Sequence, residues 1–181
     1  GNAGNNTMGT SSVAVGNNAG NSSMGNNSVA VGINAGQTTM GINAVAIGIG
    51  AGQTSMGDNS VAIGNSAGKN SMGGVSVALG VNAGLSASGV RNTCLGNTAG
   101  SNLTTETDTT CLGFNAQVTA TNQVQLGSST TTTYAYGAVQ DRSDERDKAE
   151  IQDVHLGLDF IEALTPRSYK LDYREDYREN T

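Results

Sequence analysis

Residues 28–43 read Ser-Val-Ala-Val-Gly-Ile-Asn-Ala-Gly-Gln-Thr-Thr-Met-Gly-Ile-Asn, and close copies of this unit follow one another every 16 residues. Three series of residues keep this step: Val13, Val29, Val45, Val61 and Val77; Gly16, Gly32, Gly48, Gly64, Gly80 and Gly96; and Met8, Met24, Met40, Met56 and Met72. A fixed period of this kind is typical of repeat architectures. The repeat therefore determines the fold from about Gly1 to Gly100.

The unit favours short strands over a helix. It contains about four glycines, and each costs ~1 kcal/mol relative to alanine inside a helix. In the Val-Ala-Val stretch, Val13 and Val15 share one face while Ala14 takes the other. Glycines at fixed positions supply the positive-φ corners at which the chain turns. The sequence predicts a parallel β-solenoid with two short strands per 16-residue coil, in which identical residues stack ~4.8 Å apart.

The apolar content of one coil is small. Each coil offers only about five apolar side chains, and no aromatic residue precedes Phe114. Conformational entropy of ~1–2 kcal/mol per ordered residue opposes folding of such a thin coil on its own. Three chains around one axis share a continuous core, so we predict a homotrimer. The Val and Met side chains are expected in the coil interiors or along the threefold axis.

The regular repeat ends near Gly100, and residues 101–140 are predicted to be terminal rungs and a neck. Thr110-Cys111-Leu112-Gly113 repeats Thr93-Cys94-Leu95-Gly96 at a spacing of 17, and Gln123 to Gly127 adds one more rung. At the other end the sequence begins inside a repeat, which we interpret as a boundary with more shaft upstream.

Residues 141–181 form a third region with a different composition. They hold 12 acidic and 7 basic residues, whereas residues 1–140 hold five charged residues in all. Apolar residues recur there at helical spacing: Ile151, Val154, Leu158, Ile161 and Leu164. Asp153 is a suitable N-cap, Pro166 would stop the helix, and alternation from Tyr169 to Tyr173 predicts a strand. This region is expected to be the start of a small α+β domain.

Several function classes are disfavoured. The net charge is −6 with no basic block, which argues against a nucleic-acid partner. No apolar stretch approaches the ~20 residues of a membrane helix, so no membrane insertion is expected. His155 is the only histidine and has no ligand cluster, and no cofactor or metal is indicated. Cys94 and Cys111 occupy the position of Ala14, either as small packing residues or as a thiol ladder along the trimer.

The Ser-Val-Ala-Ile-Gly unit at Ser60 to Gly64 resembles the head repeats of trimeric autotransporter adhesins, and similar repeats occur in phage tail fibres. The resemblance covers about Gly1 to Gly100. It implies a left-handed parallel β-roll assembled as a homotrimer. The chain departs from the adhesin pattern by its 16-residue coil and by the Met-Gly pair in the second strand.

The segment from Ser143 to Tyr173 resembles the intramolecular chaperone of endosialidase tailspikes, through Ser-Asp-x-Arg-x-Lys, Ile-x-Asp, a Leu-rich helix and Leu-x-Pro-x-x-Tyr. That resemblance implies a domain that trimerises, guides folding of the fibre and then cuts itself off once. It assigns Ser143 as nucleophile, Lys148 as general base and Arg142–Ser143 as the scissile bond. Taken alone, Ser143 could equally be a helix N-cap and Lys148 a solvated surface lysine.

These patterns predict a structural segment of a homotrimeric virion fibre, of the tail or the head, which takes part in host attachment and matures by self-cleavage. The partner is the chain itself, with a host-surface receptor or glycan as a further candidate. Two alternatives stay open. One is the head of a bacterial trimeric adhesin at the cell surface, and the other is the C-terminal part of a glycan-depolymerising tailspike with catalysis upstream. Multi-turnover enzyme activity is not expected.

Overall fold

The computed structural model describes residues 1–137 and 164–165, and residues 1–134 form one unit built from two parallel sheets. The first, here the valine sheet, contains β2 (Val13–Val15), β4 (Val29–Val31), β6 (Val45–Ile47), β8 (Val61–Ile63), β9 (Val77–Leu79), β10 (Thr93–Leu95), β11 (Thr110–Leu112) and β12 (Val124–Leu126). The second, the methionine sheet, contains β1 (Thr7–Met8), β3 (Ser23–Met24), β5 (Thr39–Met40) and β7 (Ser55–Met56). The predicted β-solenoid is confirmed.

The register follows the sequence repeat. Val29 pairs with Val45 in the parallel ladder between β4 and β6, which is the predicted stacking of identical residues. The irregular rungs are also confirmed, because Thr93 pairs with Thr110 and Thr110 pairs with Val124. The second strand is less regular than predicted: the methionine sheet ends at β7 and continues only as a single bridge from Met56 to Met72.

Alanine and methionine fill the coil interior. Ala30 and Ala46 are fully buried at the centres of their strands, and Met40 is 2% exposed. By contrast, Val13 and Val15 are 48% and 55% exposed. Methionine therefore packs in the coil interior, one of the two places expected for it, whereas valine lies outside the coil, which leaves the threefold axis as its predicted place.

The two sheets lie too close together for larger inward residues. A Cβ added at Gly36 would lie 2.6 Å from the Sδ of Met40 and 3.5 Å from the Cβ of Ala30. The thioether therefore already fills the space above the corner glycine. In the coils that contain a methionine, this side chain and a few alanines fill the interior, and the β-branched residues of the strands point outward.

The corners of the coils contain residues with positive φ, as the repeated glycines predict. Gly32 and Gly64 both have φ of 132°, and Asn18 and Asn34 adopt left-handed conformations with φ of 53° and 58°. Asparagine tolerates this region better than most residues with a side chain. Asn18 Nδ2 donates to Asn34 Oδ1 at 3.2 Å, so these amides bond to each other across neighbouring coils.

A buried column of hydroxyl groups joins successive coils. Ser28 Oγ donates to the Gly41 carbonyl at 2.8 Å and accepts from the Ala44 N–H at 3.1 Å. Ser60 makes the same two bonds to Gly73 and Ser76 in a later coil. Each hydroxyl therefore satisfies one backbone donor and one backbone acceptor that strand pairing leaves free.

The column is interrupted at Ala44, which suggests a stabilising substitution. Among the described residues, the Ser60 N–H and the Gly57 carbonyl have no hydrogen-bond partner, because Ala44 lacks the hydroxyl that would serve both. Ala44→Ser is expected to raise the free energy of unfolding by about 1 kcal/mol. Urea denaturation would measure this change.

The matched control is Ser28→Ala, which creates the same gap one coil earlier and should destabilise by about 1–3 kcal/mol. If both variants were destabilised, the room beside Ala44 would be too small for a hydroxyl and the proposed pairing would be incorrect.

Candidate association surface

The residues that the sequence singles out for catalysis lie outside the described part of the chain. This applies to Ser143, Lys148 and the Arg142–Ser143 bond, and also to the predicted strand near Tyr169. Leu164 is described; it lies in no helix or strand and is 53% exposed. The self-cleavage assignment therefore stays a prediction, and the described residues offer a different site.

That site is the outer face of the valine sheet, which we call the valine face. It consists of the first and third residues of the eight strands: Val13, Val15, Val29, Val31, Val45, Ile47, Val61, Ile63, Val77, Leu79, Thr93, Leu95, Thr110, Leu112, Val124 and Leu126. All but two of these residues are valine, isoleucine or leucine. Their alternation with the buried alanines turns every one of them away from the coil interior.

The valine face is large for a monomer. With strands ~4.8 Å apart, eight strands extend over roughly 34 Å, and the two columns of each strand lie about 7 Å apart. Further exposed apolar residues follow the corner glycines, among them Ile33 at 50%, Ile49 at 54% and Phe114 at 68% exposure. The patch is on the order of 500 Å², a size at which surface patches are often functional.

Charge is excluded from this face. The charged residues of the described range are Asp58, Lys69, Arg91, Glu106 and Asp108, and none belongs to the valine face. Arg91 and Asp108 neutralise each other across neighbouring coils, with Arg91 Nη2 donating to Asp108 Oδ2 at 2.8 Å. The exposed carboxylate of Asp108 has its pKa lowered by this hydrogen bond. A partner for the valine face therefore needs apolar groups and no counter-charge.

The outer side of the methionine sheet is polar instead. Ser23 and Thr39 are the outward residues of β3 and β5, and both are exposed. Beside them, Gln53 Nε2 donates to Gln37 Oε1 at 2.9 Å in a ladder of amides. The coil thus has one apolar and one polar outer face, and only the apolar face gains from being covered.

Sequence reasoning left the orientation of the valines open, because alternation shows which residues share a side but not which side is inside. One signal within the repeats could have revealed it. The Ala14 position accepts only alanine, cysteine and, in the last strand, Gln125, whereas the Val13 and Val15 positions vary among valine, isoleucine, leucine and threonine. A position restricted to small residues is the one with the least room around it.

The described residues contain neither a helix that could span a membrane nor a cluster of metal-ligating side chains. Within these ranges the chain forms no helix with the length and apolar character needed to cross a bilayer. No three side chains of His, Cys, Asp or Glu come together there either. Comparisons with protein-family models, with curated proteins and with solved structures gave no match to this chain.

Proposed function

We propose that the chain is a structural segment of a homotrimeric virion fibre, of the tail or the head, which takes part in host attachment. The observation that supports this best is the valine face, an uncharged apolar surface along the whole solenoid. Covering ~500 Å² at ~25 cal/mol per Å² would contribute on the order of 10 kcal/mol per chain before the entropy of association is subtracted. A surface of this kind favours a permanent partner.

The geometry of the face favours other copies of the same chain as that partner. Its apolar rows repeat every ~4.8 Å over eight strands. A partner has to offer matching rows at the same step to stay in contact over the full length, and a second copy of the solenoid does so. The proposal that three chains assemble rests on resemblance, since both the repeat and the Ser143–Tyr173 motif resemble trimeric families. The same resemblance suggests a left-handed coil.

The native mass of the purified chain tests this proposal. Sedimentation equilibrium at micromolar concentration is expected to give three times the mass of one chain. A stable, folded monomer would contradict the proposal, and a dimer would retain the valine face as the contact while rejecting the threefold arrangement.

The proposed maturation step is self-cleavage before Ser143. A serine hydroxyl is a weak nucleophile at neutral pH, and a lysine serves as its base once burial lowers the amine pKa. In the full-length protein, Ser143→Ala or Lys148→Ala is expected to abolish cutting at the Arg142–Ser143 bond without loss of the trimer. Intact-mass measurement of the purified product reads this out directly.

Ser168→Ala is a matched control, because it removes a serine of the same segment and should leave cutting unchanged. A product that still begins at residue 143 in Ser143→Ala would mean that an external protease cuts the chain. This experiment also separates a virion fibre from a bacterial adhesin head, because only the tailspike chaperone family, which the segment resembles, implies self-cleavage.

A further inference from the structure

Two cysteines face each other inside the last coils. Cys94 and Cys111 are the central residues of β10 and β11 and pair in register. Both thiols are free, and the residues are 1% and 0% exposed. Neighbouring strands lie ~4.8 Å apart, within the ~4.4–6.8 Å Cα separation that disulfides span. The backbone therefore already holds the pair at a distance suitable for a bond.

The two thiols and Leu103 together fill the space beside Gly100, which corresponds to the space that methionine fills in earlier coils. A Cβ added at Gly68 would lie 2.7 Å from the Sδ of Met72. In the following coils the methionine column ends, and Leu103 lies at the equivalent place. A Cβ added at Gly100 would meet the Cys94 Sγ at 2.5 Å and the Cys111 Sγ at 3.3 Å. Both sulfurs lie close to this one point, so the distance between them is at most about 6 Å.

The pair also differs electronically from two isolated thiols. The interaction between the two thiols lowers the pKa of Cys111. The same interaction, together with burial, raises the pKa of Cys94. The thiolate is the reactive form of cysteine, so Cys111 is the favoured nucleophile of the two.

A polar cleft lies close to Cys111. Its neighbour in the final strand β12 is Gln125, which is half-buried. Gln125 lines a cleft of about 340 Å³ together with Asn115, Gln117, Gly127, Ser128 and Ser129. Gln125 therefore both pairs with Cys111 and lines the cleft.

We propose that Cys94 and Cys111 form a disulfide that joins the coils of β10 and β11 when the chain meets a disulfide oxidant such as oxidised glutathione. The Cys111 thiolate attacks one sulfur of the oxidant, giving a mixed disulfide and one glutathione thiolate. Cys94 then attacks the Cys111 sulfur, the mixed bond breaks, and the second glutathione leaves with the Cys94 proton. Two protein thiols are oxidised and one oxidant disulfide is reduced to two thiols.

The bond would close the chain segment between Cys94 and Cys111, which includes the polar insertion from Asn102 to Thr110. Closing a loop of this length restricts the unfolded chain and so stabilises the folded one. The proposal stands independently of the fibre assignment, because both thiols lie inside a single chain.

The test exposes the purified chain to oxidised glutathione in two ways, as the native protein and during refolding from urea. We expect the free thiols to fall from two per chain to none in at least one arm. A peptide map without reductant should link Cys94 to Cys111, and the thermal midpoint should rise by about 5–10 °C. Adding a reductant should reverse both changes.

Cys94→Ala is a suitable control, because Ala78 occupies the same position one coil earlier and the variant should fold. It should stop at a glutathione adduct on Cys111 and show no rise in thermal midpoint. Two outcomes in the wild-type chain would overturn the proposal: thiols that stay free in both arms, or oxidation that yields only adducts or links between chains.

Discussion

Gly48→Ala is expected to destabilise the solenoid by about 3 kcal/mol or more, enough to unfold its central coils. Gly48 has φ of 127°, a region that costs residues with a side chain on the order of 1–3 kcal/mol. An alanine Cβ there would also lie 2.6 Å from the carbonyl oxygen of Gly64 in the next coil. That atom is backbone within the stack, so it cannot move without displacing its own coil. Urea denaturation followed by circular dichroism measures the loss.

Gly50→Asn is the matched control, two residues away in the same corner. Gly50 has φ of 65°, and the nearest atom to an added Cβ is the Gln53 Oε1 at 3.4 Å. Asn34 and Asn82 occupy the equivalent place in other coils with nearly the same φ. The control should change stability by less than about 0.5 kcal/mol. Equal effects of the two substitutions would mean that the contact between Gly48 and Gly64 is not tight.

The second large effect is expected from Ile47→Asp, on the valine face. Ile47 is 37% exposed in the single chain, so a carboxylate there can stay hydrated and the coil should remain folded. In a trimer the three carboxylates would be buried near one axis without partners, which costs several kcal/mol for each chain. We expect association to weaken at least about a thousandfold and sedimentation to show folded monomers.

Thr39→Asp supplies the comparison, because it adds the same charge to the exposed polar side of the methionine sheet. The trimer should survive this substitution. The opposite result, with Thr39→Asp dissociating the assembly and Ile47→Asp leaving it intact, would place the contact on the methionine sheet and reject the valine face as the association surface.

The coil architecture could be predicted from the sequence because every repeat carries the same corner residues in phase. The lengths of the irregular coils could also be predicted. A glycine follows each of their strands, at positions 96, 113 and 127, and the spacing of these glycines gives the number of residues per coil. The inward side could not be predicted in the same way. It depends on the separation of the two sheets, a property of the folded coil. Methionine is flexible enough to fill the narrow space that results beside the central alanines of the strands.

Two further features could not be predicted from the sequence, because they depend on which residues lie side by side in neighbouring coils. The gap left by Ala44 and the contact between Cys94 and Cys111 become visible only when residues 16 or 17 apart are known to be neighbours. The predicted dyad of Ser143 and Lys148 is of another kind. It comes from resemblance alone, because a local pattern of residue types cannot show that two side chains meet.

The uniform parallel register has a consequence for how such a molecule changes length. Each regular coil presents the same edge above and below, so a duplicated 16-residue segment can be inserted between two such coils without altering either neighbour. Each insertion would lengthen the stack by ~4.8 Å, about 0.3 Å per residue, compared with 1.5 Å per residue in a helix. Coils of other lengths also keep the register when the extra residues lie in a turn, as between β10 and β11, where paired residues are 17 apart. The length of the solenoid can therefore change in steps of one coil. Duplication of a 16-residue segment by recombination within the gene would lengthen it while the chemistry of its surface stays the same.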